Sequence, residues 1–310
     1  KINSLLNVFK KHLTKLKKST KIIITNKDKE FVMKNIYFLG IDIQNDFIQI
    51  PEDIKAKMIE TDAEGKEVRY EPKLAVEGGW ENAVNTASFI KKNIESLSKI
   101  ILTFDTHEKY DVAHSLFWEN EKGEQPEPFT IISHNDVKEG VWMPVDKNLY
   151  HKMIDYTRKL EEGGKMQLCI WPTHAVLGSL GHKLVAPVEQ AVYQWEDLHK
   201  ARSQKYMKGH YPLTEHYGAI EAEVIDVNVP STMKNQELLN EISDADVLYV
   251  SGQALSHCVA ATVRQIVKYL GDEFAKRIVL LKDTTNPVSG FGELGKDFIE
   301  ELRLKGMRVE

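Results

Sequence analysis

The run VLYVSGQALSHCV, residues 247–259, decides how this chain is read. Val247 to Val250 is a short apolar stretch rich in β-favouring residues, and Ser251-Gly252 ends it with turn chemistry. Beyond the turn, Val259, Val263, Ile266, Val267 and Leu270 fall on one face of a helix. A buried strand therefore passes directly into an amphipathic helix, with the thiol of Cys258 in the helix's first turn. Free N–H groups and the helix dipole at such a place are expected to lower a thiol's pKa, and they can also hold an oxyanion. The other cysteine, Cys169, lies inside the apolar run Leu168 to Ile170 and reads as an ordinary buried thiol.

Working outward, similar apolar runs occur at Ile36 to Ile43, Ile100 to Phe104, Leu168 to Trp171 and Ile278 to Leu281. Helical patterns lie between them, such as Ala87, Ile90, Ile94 and Leu97, and a further helix is expected over Lys147 to Glu162, stopped by Gly163 and Gly164. This alternation predicts an α/β fold, a three-layer, doubly wound, mostly parallel sheet. Charged residues 51 to 72, the proline-bearing stretch 115 to 145 and the polar region 196 to 222 break the pattern and read as loops or lids.

In open α/β sheets the ligand crevice lies beyond the carboxyl ends of the strands, so the residues that follow each run become functional candidates. After the first run comes Asp42-Ile43-Gln44-Asn45-Asp46-Phe47, whose leading carboxylate can serve as a general base or simply hydrogen-bond a loop. After the second comes Asp105-Thr106-His107, with His114 further on; after the third, Trp171-Pro172-Thr173-His174. Carboxylate and imidazole groups gathered at one sheet edge suit a divalent ion, with zinc, iron and manganese as candidates.

Composition narrows the partners. The net charge of −5 is spread along the chain without a basic stripe, which gives no support to a nucleic-acid surface. No apolar run approaches the roughly 20 residues of a membrane-spanning helix. With two cysteines in 310 residues the chain does not rest on disulfides, which fits a reducing, cytoplasmic setting. Residues 1–32 are lysine-rich and read as a disordered extension, with residues 33–310 as one α/β domain. An organelle-targeting or surface-binding leader is the alternative for residues 1–32, but such leaders favour arginine, and none occurs there.

Taken in order, these motifs resemble the isochorismatase-like cysteine hydrolases, and within them the nicotinamidase/pyrazinamidase branch, over about residues 35 to 290. Asp42 to Phe47 resembles D-x-Q-x-D-F, and Lys73 to Gly79 a small-residue segment. Asp105-Thr106-His107 with His114-Ser115 resembles the D-x-H…H-S loop, and Trp171 to His174 with Gly178 to Gly181 the W-P-x-H…G-T-x-G pair. Lys208-Gly209 is similar to the K-G motif, and Gly252 to Val259 to G-x-A-x-x-x-C-V. The resemblance implies a metal-assisted amidohydrolase that converts nicotinamide to nicotinate through a thioester on Cys258, with Asp42 as proton carrier and Lys208 favouring the thiolate. It further implies an oxyanion hole from the N–H groups of Ala254 and Cys258, and a cis peptide between Gln253 and Ala254. Asp105, His107 and His174 would hold one divalent ion, zinc first, while Phe47 and Trp171 would flank the ring and His114 would be a substrate contact or a further ligand.

There are departures from the pattern. Leu255 and Ser256 stand where Thr and Asp are more usual, Ala175 where Cys often follows W-P-x-H, and the segment Lys208 to Ile220 is longer than the common form. Substrate size is therefore open. The alternatives are a sibling hydrolase of another small amide or ureido compound, and an inactive relative that binds a small molecule or a partner. The metal trio argues against the first, and the intact Asp42, Lys208 and Cys258 against the second. Nucleotide binding finds no G-x-G-x-x-G after the first strand. A small-molecule amide is the expected partner, with homo-oligomers open.

Overall fold

The structure, a computed structural model, describes residues 34–62 and 64–310. The lysine-rich stretch and its boundary after residue 32 lie outside them. Six strands form the central sheet: β1 (Ile36–Ile41), β2 (Lys99–Asp105), β3 (Gln204–Lys208), β4 (Val247–Gly252), β5 (Ile278–Leu280) and β6 (Arg308–Val309). They are all parallel and run in the order β6-β5-β4-β1-β2-β3. Strand order reverses between β1 and β4. A crevice opens at such a reversal because the connections leave the two strands toward opposite faces.

Helices cover both faces, which is why the central strands read as unbroken apolar runs. On one side α1 (Gly79–Lys92) and α3 (Ala186–His199) pack over Phe38, Ile100 and Leu102, and Trp195 donates its indole N–H to the Leu97 carbonyl at 2.8 Å. On the other, α4 (Gln236–Ser243), α5 (Ala260–Leu270) and α6 (Gly292–Leu304) bury Leu239, Val263, Ile266 and Phe298 against Leu39, Ile41 and Val250. Helix α2 (Tyr150–Glu162) belongs to a separate small core with Phe117, Trp118, Ile132 and Ile170. The fold is the expected three-layer α/β fold. No helix among the described residues is long and apolar enough to cross a membrane.

Two expectations fail in informative ways. Leu168 to Trp171 is not a strand of the central sheet: only Leu168–Cys169 pairs, antiparallel to Ile131–Ile132, at the small core. The place beside β2 is instead taken by β3, inside the region read as a loop. As an edge strand with alternating exposure, its Gln-Lys-Tyr-Met-Lys sequence shows no apolar run. The segment that follows is no lid either. Ala219 and Ile220 are buried against α5, with their N–H groups on Thr262 Oγ1 at 3.1 Å and Gln265 Oε1 at 2.9 Å. The 51–72 stretch carries a small hairpin, Ile59–Thr61 with Glu67–Arg69, and 115–145 contributes Phe117, Trp118, Ile132 and Val137 to the small core.

Gly252, at the end of β4, lies at φ 138, and a Cβ there would meet the Ile41 carbonyl oxygen at 1.9 Å. Gly271, at φ 89, has nothing within 4 Å of such an atom. Both alanine variants incur the backbone strain, but only Gly252→Ala must push β1 and β4 apart. Urea denaturation should find Gly252→Ala less stable than Gly271→Ala by at least about 2 kcal/mol; equal losses would show that the close approach is not a constraint.

Candidate active site and metal centre

The strand ends deliver their side chains to the crevice between β1 and β4. Asp42 follows β1 at φ 49, held there by its N–H on the Thr103 carbonyl at 3.1 Å. Its Oδ1 accepts the Thr103 hydroxyl at 2.6 Å. Its Oδ2 is buried, has no aligned hydrogen-bond donor, and faces the Lys208 ammonium at 3.1 Å. Lys208 ends β3. Its Nζ donates to Asp105 Oδ1 at 2.7 Å and to the His216 carbonyl at 2.6 Å, and lies 3.7 Å from Cys258 Sγ. One buried ammonium thus touches both carboxylates and the thiol.

Cys258 sits in a π-helical turn, Leu255–Val259, that opens α5. The Gln253–Ala254 peptide before it is cis. Gln253 is pinned by its N–H on the Ile41 carbonyl at 2.9 Å and by its side-chain amide on Asn82 Oδ1 at 3.0 Å. Among the described residues, the Ala254 N–H donates to no backbone carbonyl.

The electrostatics depart from the expectation of a lowered thiol. Burial pushes Cys258 well above its usual range, the Lys208 ammonium opposes this, and the Asp42 and Asp105 carboxylates add to the rise. A helix start cannot offset full burial beside two anions. Burial also raises Asp42, more than Lys208 lowers it. For Lys208, burial acts downward but Asp105 and Asp42 outweigh it, so the amine stays charged. In Asp105 the upward push of burial is overcome by Lys208 and His107, which hold it well below the ordinary carboxylate range.

Asp105, His107 and His174 form the one group of three or more such side chains among the described residues that could hold a metal ion, each offering a ligand atom within 4.8 Å of the others. Their outer contacts fit that use. His174 Nδ1 lies 2.8 Å from the Pro172 carbonyl and His107 Nδ1 lies 3.1 Å from Asp111 Oδ2. Both rings therefore turn Nε2 toward Asp105 Oδ2, at 3.2 Å from His107 and 3.4 Å from His174. Imidazoles oriented from behind by a carbonyl and a carboxylate, with a third ligand from a carboxylate, match the donor set of a divalent zinc-type site.

A small cavity of about 30 Å³ joins Cys258 and Ala254 to Asp105, His174, Phe47 and Trp171. It holds little more than a water, so side chains at its mouth must give way to admit a ring. His114 does not share this wall. It is fully buried behind the other imidazoles, 5.0 Å from His107 and 5.3 Å from His174 between ring centres, and accepts the His174 N–H at 3.4 Å. It belongs neither to the ligand group nor to the lining residues, and burial pushes its pKa down to about 2. Sequence reasoning gave no role to Glu215, Tyr217 or His257, all of which line the cavity. Glu215 Oε2 is buried without a partner, and burial raises this acid. Its only sequence signal was an acid near Lys208 in a stretch that read as polar loop.

No protein-family model matches the chain, and no curated protein matches its sequence. Solved structures do match. The chain is similar to the yeast nicotinamidase Pnc1p at 19% identity and TM-score 0.56, over 88% of this chain and 98% of that one; the same figures hold for that enzyme bound to the inhibitor nicotinaldehyde. A nicotinamidase/pyrazinamidase of Acinetobacter baumanii matches at 17% identity and TM-score 0.54, over 89% and 95%. The chain therefore shares the α/β fold of these nicotinamidases, and at this identity the likeness is one of fold.

Elemental analysis should find one divalent ion per chain in the parent protein and less than about a tenth of that in His174→Ala. Equal content would remove His174 from the ligand set. Asp111→Ala, which frees the His107 ring, should weaken the ion about 10–100-fold in competition with a chelator.

Proposed function

We propose that the chain is a cysteine amidohydrolase of small aromatic carboxamides, with nicotinamide as substrate and nicotinate and ammonia as products. The observation that carries this reading is the Lys208 ammonium between Asp42, Asp105 and Cys258, at a cavity walled by aromatic rings. The likeness in fold to nicotinamidases supports it.

A thiol raised by burial does not ionise unaided, so attack needs a base. Asp42 suits the task because burial makes its carboxylate more basic than usual, while the Lys208 ammonium beside Oδ2 steadies its charge. As the amide enters, the Cys258 proton passes to Asp42 and Sγ bonds to the carbonyl carbon, with Lys208 balancing the transferred charge. The N–H groups of Ala254 and Cys258 receive the developing oxyanion. Asp42 then gives its proton to the nitrogen as the C–N bond breaks, releasing ammonia and leaving a thioester. Water, losing a proton to Asp42, attacks the thioester; the C–S bond breaks, the carboxylic acid departs, and Asp42 returns its proton to Sγ. A divalent ion held by Asp105, His107 and His174 would supply a Lewis acid for a ring nitrogen. Phe47 and Trp171 would hold the ring flat.

Ammonia release from nicotinamide by the metal-loaded protein tests this reading. Cys258→Ala, folded by circular dichroism, should lose more than about a thousandfold in kcat. Residual activity above that level would reject the nucleophile, and a metal-loaded parent that releases no ammonia would reject nicotinamide.

A further inference from the structure

His257 precedes the proposed nucleophile and has no part in the steps above. It is 5% exposed, lines the cavity, and is clamped among aromatic rings. Its ring stands perpendicular to Trp171 at 5.3 Å, nearly so to Phe291 at 4.9 Å, and 5.4 Å from Tyr217. Nδ1 lies 2.8 Å from Ser256 Oγ. That hydroxyl oxygen accepts the Val288 N–H at 3.1 Å, which occupies a lone pair and leaves the hydroxyl proton to be placed. Among the described residues the acceptor within reach of that proton is His257 Nδ1. Satisfying the buried hydroxyl therefore makes Nδ1 the acceptor and puts the imidazole proton on Nε2. Nε2 has no hydrogen-bond partner among the described residues. Burial holds the ring's pKa down to about 4, so this donor is a neutral one.

We propose that His257, set in the Nε2–H tautomer by Ser256, is a specificity-determining donor that selects ring amides with a second hydrogen-bond acceptor, beyond the ring nitrogen that nicotinamide presents. The inference rests on the amidohydrolase reading. Ser256 is a positioning residue, since it acts through the imidazole. A ligand that fills the cavity displaces water from this N–H, so one that lacks an acceptor leaves the donor unpaired and is disfavoured, whereas a diazine nitrogen meets it without carrying charge into the cavity. A neutral hydroxyl behind the ring matters here: an ionised acid in its place would pull the imidazole toward its charged form and change the preference to anionic ligands.

The test has a spectroscopic arm and a binding arm, both on the metal-loaded full chain. Nitrogen-15 imidazole spectra should show His257 protonated on Nε2 alone, and mixed tautomers in Ser256→Ala; a parent ring protonated on Nδ1 would overturn the proposal whatever the enzyme does. Binding is measured calorimetrically on Cys258→Ala, so that nothing turns over. The ligands are nicotinamide and the four diazine carboxamides that keep its nitrogen and add a second at either ortho position, at the other meta position or para to the amide. At least one diazine should gain about tenfold over nicotinamide with His257 present and lose that gain in His257→Leu, with His257→Gln, which keeps an N–H donor, recovering part of it. Ratios unchanged within twofold for all four would overturn the proposal. Absence of ammonia release from every amide by the parent, with the tautomer as expected, would instead sink the amidohydrolase reading.

Discussion

Everything at the strand ends depends on where the Lys208 ammonium sits. It is 4% exposed and meets three oxygens, on Asp42, Asp105 and the His216 backbone, each belonging to a different segment. Removing one partner of such a buried pair typically costs about 3–5 kcal/mol, because the other charge is left unpaired. The contact therefore fixes the register of β3 against β2, with Lys208 opposite Asp105. It also ties the proposed base, the candidate metal-ligating carboxylate and the thiol into one unit. Changing any of these charges changes the proton affinity of the others.

A second carboxylate does comparable work without chemistry of its own. Asp46 Oδ1 accepts the Tyr70 hydroxyl at 2.7 Å and the Lys73 N–H at 3.0 Å, while Oδ2 accepts the Ala175 N–H at 2.8 Å. Three loops meet on one side chain. A Cβ on Gly181 would lie 1.9 Å from Asp46 Oδ2, so only glycine lets the chain pass so close. Phe47 and His174, which pack edge to face at 5.4 Å, are neighbours of these anchored residues and take their places on the cavity wall from them. The spacing from Asp42 to Phe47 thus serves two purposes, a carboxylate for the Lys208 ammonium and another for the scaffold.

What the sequence made legible follows from this architecture. Strands β1, β2, β4 and β5 are buried on both faces, so they read as apolar runs, and the residues directly after β1, β2 and β4 could be named as site candidates before any geometry was known. Strand β3 and Glu215 were hidden for the opposite reason. An edge strand is half solvated, and the segment beyond it buries polar groups through backbone and side-chain hydrogen bonds, as Ile220 does on Gln265 Oε1, so composition reports it as surface. His114 shows the converse limit. The resemblance offered it as a substrate contact or a further ligand; in the structure it is buried behind His107 and His174 and accepts the His174 N–H.

The charge balance at the centre argues for a cation there on grounds independent of any resemblance. Asp42 and Asp105 are two buried carboxylates beside one ammonium, Asp111 stands against His107, and Glu215 is orphaned nearby. Such an excess of anionic groups is costly in a low-dielectric interior unless positive charge is supplied. The effect is visible in His107: burial pushes its pKa down, yet Asp105 and Asp111 together hold it well above the ordinary range, so the ring is drawn to take a proton. A divalent ion held by Asp105, His107 and His174 would meet that demand more fully than one proton does, and it would offset the Asp42 and Asp105 charges that add to burial in raising the Cys258 thiol. The positions that read from sequence as separate strand-end ligands therefore answer one electrostatic requirement, and Cys258, Asp42, Lys208 and the candidate metal ligands have to be understood as a single charged assembly.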